Sequence, residues 1–487
     1  MNGLYILLTV LIYFGILLLI STFTKGKSGN ADFFRGGKQS PWYLVAFGMI
    51  GASLSGVSLV SCPGWVQSID MTYMQMVFGY FPGYLIVAFV LLPVYYKLNL
   101  TSIYTYLERR FGAVSYATGS VFFLLSKMLG AAARLYLVCL ILQMYVFEQF
   151  GIPYAATVVA TVLLIWLYTR HSGIKTIVWT DTLQTFCLIA ATCIIIFQTI
   201  NQLDMSLGEA ITAIAEDSHS RMFEFADWSS KQHFVKQFLS GIFIVVVMTG
   251  LDQDMMQKNL TCKNLRDAQK DMSAYGFFFI PMNLLFLSLG VLLIILAQKN
   301  GIDLPEKGDQ LLPQFVVNGM LGTSAIIFFS IGIISAAFSS ADSALTALTT
   351  SFCVDILGRG DDTPQNNSVR KRVHMAMMAV FCGFVLLFKA IDNESVIDTI
   401  YLLASYTYGP LLGMFSFGLF TKRNPRENLV PFIAVASPVL CYIIDITVNN
   451  AFGYKFGYEM LMINGLITFA GLFLVSKTEK QDKSVVA

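Results

Sequence analysis

Four small residues, Ala336, Ser339, Ser340 and Ser343, follow the spacing i, i+3, i+4, i+7, which places them on one face of an α-helix. Asp342 stands one position away from that face. Hydroxyl and main-chain carbonyl oxygens are hard ligands that suit a small hard cation, and a carboxylate compensates its charge. A plain packing face would account for alanine and serine but leaves Asp342 as a costly residue in an apolar run. Asp181, within Val178–Trp179–Thr180–Asp181–Thr182, poses the same question. Snorkelling is open to it, because its apolar run begins only a few residues earlier.

Arg134 lies in the middle of Gly130–Ala131–Ala132–Ala133–Arg134–Leu135–Tyr136. Its guanidinium stays charged at any relevant pH and presents a planar fork that matches a carboxylate. The other reading open to it is an internal counterion to Asp342 or Asp181. Lys127 precedes it by two turns on the same face, and its long stem can carry the ammonium toward the cytoplasm.

The elements that must hold these residues are membrane helices. The chain is 56% hydrophobic and 13% charged, too apolar for a soluble globule of 487 residues. About twenty apolar residues span the hydrocarbon core as a helix. Thirteen such runs recur near 4–23, 42–69, 74–96, 114–147, 152–169, 176–200, 234–258, 271–298, 323–356, 373–391, 397–420, 428–447 and 458–476. Their length and their lack of period-two alternation exclude a β-barrel. Many spans combined with intramembrane oxygen ligands point to movement of a solute across the bilayer.

Charge placement gives the expected orientation. With the N-terminus outside, 23 of the 32 Lys and Arg fall in cytoplasmic loops, Lys258 among them, and seven on the opposite side. Lys127 and Arg134 lie within the 114–147 run. The positive-inside rule then predicts N-out, C-in. The run 4–23 lacks a basic leader and a small-residue cleavage site, so it is expected to remain as a helix. The outer segment 201–233 is acidic and aromatic enough for small interfacial helices, and the tail after Val475 is too short to fold.

One span carries its own interruption. Gly48–Met49–Ile50–Gly51–Ala52–Ser53–Leu54–Ser55–Gly56–Val57–Ser58 concentrates Gly and Ser halfway along the run 42–69, ahead of Cys62–Pro63–Gly64. A broken helix frees carbonyl and N–H groups at mid-membrane, where they can hold a cation or a polar solute. Met248–Thr249–Gly250–Leu251 is a weaker counterpart five spans later, the interval an inverted repeat would give. The alternative is close helix packing by small residues. The eight cysteines show neither metal-ligand spacing nor a disulfide framework, and no basic groove with interleaved aromatics supports nucleic-acid binding. No soluble enzyme module has room in the chain.

These residues resemble the sodium/solute symporter family, over almost the whole chain. The marks are Asp32–Phe33–Phe34–Arg35–Gly36–Gly37, Thr101–Ser102–Ile103–Tyr104–Thr105–Tyr106–Leu107–Glu108–Arg109–Arg110–Phe111, Val178 to Gln184, and Ala336–Ala337–Phe338–Ser339–Ser340 with Asp355. The resemblance implies an all-α integral membrane protein of the LeuT-type fold in one domain, 1–487. It would comprise an extra helix at 4–23, inverted five-helix repeats at 42–200 and 234–420, and two C-terminal helices at 428–476. It implies a main sodium site from Gly51, Leu54, Ala336, Ser339 and Ser340. A second site, as in some members, would use Asp181, Ser339, Asp342 and Ser343, and Asp342 departs from the serine of the sialic-acid-transporting members. Either one Na+ or two would then serve as coupling ions.

The same resemblance to sialic acid symporters assigns Arg134 to a solute carboxylate and Ser53, Ser55 and Ser58 to its hydroxyl-bearing remainder. The neutral-sugar members use a lysine where this chain reads Phe278 or a neighbour. The implied function is sodium-coupled import of a sugar acid by alternating access in a bacterial inner membrane, with no oligomer required. A neutral sugar or other small solute with Arg134 structural remains open, and more distantly a channel or a solute receptor.

Overall fold

The computed structural model describes residues 2–23, 40–54, 56–100, 102–169, 174–391 and 396–478. Ser55, Thr101 and the Asp32–Gly37 motif lie outside the described residues. The described residues are almost wholly helical, because apolar runs in lipid must satisfy each backbone group within their own segment. The first half comprises α1 (Asn2–Phe23), α2 (Trp42–Ser53), α3 (Gly56–Ile69), α4 (Tyr73–Ile86), α5 (Thr105–Phe111), α6 (Ala113–Leu142), α7 (Tyr154–Thr169), α8 (Ile174–Gln202) and the short outer α9 (Leu207–Glu216). The second half comprises α10 (Phe234–Val245), α11 (Gln253–Asn259), α12 (Leu265–Asn300), α13 (Leu311–Val317), α14 (Gly322–Ser351), α15 (Pro364–Ile391), α16 (Val396–Thr407), α17 (Gly409–Phe420), α18 (Val430–Phe452) and α19 (Met460–Val475).

Among the described residues, seven helices can cross a membrane by length and hydropathy, or nine when each of two bent pairs counts as one span. Four shorter apolar helices, within α1, α7, α17 and α19, coincide with the remaining runs expected from the sequence. One expected run, 397–420, is split at Tyr408 into α16 and α17, with Pro410 in the first turn of α17. A proline there has no intrahelical donor to lose. The tail also differs from expectation: Ser476–Thr478 pairs antiparallel with Arg423–Pro425 as a two-stranded ribbon.

Both sequence-read interruptions are breaks. The axis turns by 57° between α2 and α3. It turns by 70° between α11 and the helix formed by α10 with its π-helical extension Val246–Gly250. Around them, α8 packs against α14 and α2, α4 against α10, and α6 against α14 and α16. Gly51 permits one of these approaches: a Cβ there would fall 1.9 Å from Thr185 Oγ1 on α8.

Candidate functional site

The first break opens toward α14. Leu54 ends α2 with ψ 85, and its N–H still bonds the Ile50 carbonyl at 2.8 Å, so the helical ladder stops there. On the far side, a Cβ on Gly56 would lie 3.2 Å from the Ile333 carbonyl oxygen, which places the start of α3 against α14. On the near side, Ser340 Oγ donates to the Ala52 carbonyl at 3.5 Å. The interruption therefore lies across the two turns of α14 between Ile333 and Ser340. Ala336 and Ser339 belong to those turns, and both are buried.

This arrangement fits a small hard cation. One carbonyl of α2, that of Ala52, meets a buried helix surface that carries two adjacent hydroxyls, and such oxygens replace the water around an ion without adding net charge. Ser339 also reaches sideways, donating to Asp181 Oδ1 at 2.6 Å. Ser343 donates to Asp342 Oδ1 at 3.3 Å, and all three residues Asp181, Asp342 and Ser343 are buried.

The second break is closed with side chains. Tyr95 donates to the Gly250 carbonyl and Tyr104 to the Leu251 carbonyl, each at 2.8 Å. Asp252 caps α11 by accepting from the N–H groups of Asp254 and Met255. Its carboxylate also meets Lys127 Nζ at 3.2 Å and accepts from the Tyr408 hydroxyl at 2.6 Å. The carbonyls of Gly250 and Leu251 at this break thus have tyrosine partners.

Between the breaks lies a cavity. Ser53 and Arg134 are on its wall, with Tyr80, Tyr84, Thr249, Tyr275, Phe279 and Tyr401. Ser53 Oγ is hydrogen-bonded to the Tyr275 hydroxyl. Tyr73, Tyr80 and Tyr401 join their hydroxyls in a triangle with edges of 2.9 to 3.0 Å. Arg134 is half-buried, and among the described residues it forms neither a hydrogen bond nor a salt bridge. Its charge is felt by Asp254, Tyr401 and Tyr408, yet among the described residues no carboxylate comes within ion-pair distance of it. Ser58 is buried in α3 and is not on this wall. Phe278 is 54% exposed and points away from the cavity that its neighbour Phe279 lines.

Two lysines depart from expectation. Lys127 does not extend toward water; it is held 2.7 Å from Asp254 and 3.2 Å from Asp252. Lys258, expected among the cytoplasmic loop charges, is only 1% exposed within α11 and stands 2.8 Å from Asp181 Oδ2. Buried ammonium groups persist where carboxylates face them, and Asp252 and Asp254 flank the break that aims α11 inward. The pairing was foreshadowed by Asp254 and Lys258 at i, i+4, but only tertiary contact brings Asp181 to them.

Comparison with known proteins agrees with this architecture. Residues 33–427 match the Sodium:solute symporter family. Sodium/sialic acid symporter SiaT of Proteus mirabilis is 25% identical over 97% of this chain and 96% of its own length. Sodium/sialic acid symporter NanT of Aliivibrio fischeri is 26% identical over 94% of this chain and 91% of its own. A solved structure of a Na+-coupled sialic acid symporter in a substrate-bound outward-open state superposes with TM-score 0.81 at 22% identity, covering 98% of this chain and all of that one. A nucleobase-cation-symport-1 family transporter shares the fold more loosely, with TM-score 0.55, 14% identity, and coverage of 90% of this chain and 93% of that one. With the match spanning both breaks and the serine face of α14, this multi-pass membrane protein of LeuT-type fold belongs to the sodium:solute symporter family.

Proposed function

We propose that the protein imports a carboxylated sugar of the sialic acid class, driven by sodium and by alternating access. The observation that carries this reading is Arg134: a guanidinium on the cavity wall, with no salt bridge among the described residues, beside the broken α2 and α3. A half-buried guanidinium with no carboxylate in direct contact leaves its fork open, and an anionic solute supplies a partner with bidentate geometry. Ser53 on the same wall offers a hydroxyl to the polar remainder of the solute; Ser55 and Ser58 stay in the proposed set through the family resemblance alone. The names of both sialic acid symporters above support the solute class.

Sodium binds in this reading to the carbonyls of Gly51 and Leu54, the Ala336 carbonyl, and the hydroxyls of Ser339 and Ser340. Holding both sides of the α2–α3 break, the ion orders the backbone beside the solute, so each favours the other's binding by the same factor. The two breaks support inverted repeats at 42–200 and 234–420, and the placement of Lys and Arg supports the N-terminus outside and the C-terminus inside a bacterial inner membrane. Arg134 as a counterion to Asp181 gains no support, because Lys258 already faces that carboxylate.

The test is uptake into proteoliposomes under an imposed sodium gradient, across sugar acids, neutral sugars and amino acids. Sodium-dependent accumulation of sialic acid against its gradient is expected. Accumulation of neutral sugars only, or flux that never runs uphill, would sink the reading.

A further inference from the structure

Five buried charges form one continuous line through the core. Lys127 on α6 meets Asp252 and Asp254, Asp254 Oδ1 lies 3.8 Å from Lys258 Nζ, and Lys258 meets Asp181 on α8. Asp181 then accepts from Ser339, a residue of the proposed sodium site. The line thus ends on the carboxylate that a second sodium would require.

That carboxylate is already occupied. Its Oδ1 accepts the Ser339 hydroxyl at 2.6 Å and, with the amide turned to donate, Gln184 at 3.2 Å. Its Oδ2 faces Lys258 Nζ at 2.8 Å, a charge contact off the hydrogen-bonding axis. Asp181 is 0% and Lys258 1% exposed, so water screens neither. An ammonium carries the charge of a sodium ion and stands at a similar distance from the oxygen. A sodium ion added beside it would meet a like charge across a few ångströms of poorly screened interior. Asp342, the other acid of the expected second site, has the Ser343 hydroxyl beside it and also interacts electrostatically with Lys258. The residues therefore fit a second sodium poorly.

We propose that Lys258 Nζ is a built-in substitute for the second coupling ion at Asp181, so that a single sodium, at the α2–α3 break, drives each cycle. The proposal rests on the preceding reading for its solute, a carboxylate, and adds the stoichiometry. One sodium moving with one carboxylate transfers no net charge, whereas two sodium ions with one carboxylate would transfer one positive charge.

Equilibrium binding of radioactive sodium to the purified protein without solute is expected to give one ion per chain; two would overturn the proposal. In proteoliposomes, with sialic acid as the probe, the reversal gradient should give one sodium per solute. An inside-negative potential should leave the wild-type rate unchanged. Lys258→Met leaves Asp181 uncompensated, so sodium should enter there. Coupling then rises toward two ions per solute, the sodium Hill coefficient rises from one toward two, and uptake accelerates under negative potential. A Lys258→Met protein that still couples one sodium overturns the proposal. Should that variant fail to fold, Lys258→Met with Asp181→Asn removes both charges; it should fold and bind one sodium, and loss of all sodium binding would overturn the assignment. If the wild type accumulates no carboxylate under any gradient, the proposed function fails, while the binding count still decides the number of ions.

Discussion

Ser340 Oγ lies 3.5 Å from the carbonyl oxygen of Ala52, a contact that ties the unbroken α14 to the end of the broken α2. A hydroxyl and a carbonyl at that separation make only a weak hydrogen bond, so the Ser340 oxygen is readily given up to an ion held beside the end of α2. Ser340→Ala removes that ligand. The sodium concentration for half-maximal uptake should then rise about tenfold, which corresponds to about 1.4 kcal/mol. Unchanged sodium dependence in both Ser340→Ala and Ser339→Ala, read from initial rates, would move the ion elsewhere.

Arg134→Ala should weaken binding of a carboxylate solute by at least about tenfold, since losing one partner of a buried charge-assisted pair costs about 2–5 kcal/mol. Sodium binding without solute should be largely kept. Arg134→Lys restores charge but not the two-point fork, so rescue is expected to be partial. Calorimetry in saturating sodium measures this directly, and equal affinities for the acid and its methyl ester in the wild type would contradict the assignment.

Asp252 joins three elements: it caps α11, receives Lys127 from α6, and accepts from Tyr408 at the junction of α16 and α17. Asp252→Asn keeps the shape and a capping oxygen but leaves Lys127 with Asp254 alone. Breaking a buried pair by removing one partner costs about 3–5 kcal/mol, and the remaining carboxylate should hold the loss toward the lower end. Thermal unfolding in detergent should show a clear drop in Tm. Tyr408→Phe, which removes only the hydroxyl, should cost less.

Gly51→Ala pushes a methyl group into Thr185. Overpacking of this kind typically costs about 1–3 kcal/mol, and here it also displaces the carbonyl proposed as an ion ligand. Lower stability together with weaker sodium dependence is expected. Thr185→Ala in the same protein should restore much of both by making room, and a double variant no better than Gly51→Ala would argue against steric contact as the cause.

Much of this site was legible because small residues and breaks leave local marks. The Gly and Ser cluster at 48–58 located the first interruption, and the i, i+3, i+4, i+7 serines located the face of α14 opposite it. The family resemblance supplied their role. Lys258 was misplaced for a physical reason: a lysine at the end of an apolar run reads as a loop charge, and only the 70° turn before α11 carries it into the core. Lys127 was read as able to snorkel for the same reason, since Asp252 and Asp254 lie in a different span. The aromatic wall of Tyr80, Tyr84, Tyr275 and Tyr401 gave no distinctive signal, because membrane helices carry tyrosine for packing and interfacial anchoring as well.

The line of buried charges also constrains how the chain can be made. Lys127 is translated 125 residues ahead of Asp252, so at about 5–20 residues per second its helix exists for roughly 6–25 seconds before that carboxylate is synthesised. During that interval α6 must enter the bilayer bearing both the Lys127 ammonium and the Arg134 guanidinium, and α8 must follow with the carboxylate of Asp181 before Lys258 has been made. Each such charge adds about 2.5–3.5 kcal/mol to the insertion of an isolated helix. The apolar bulk of α6 and α8 must therefore outweigh this cost on its own. An added polar residue in α6 or α8 would thus weigh against insertion before its partners exist, although the finished protein could have accommodated it.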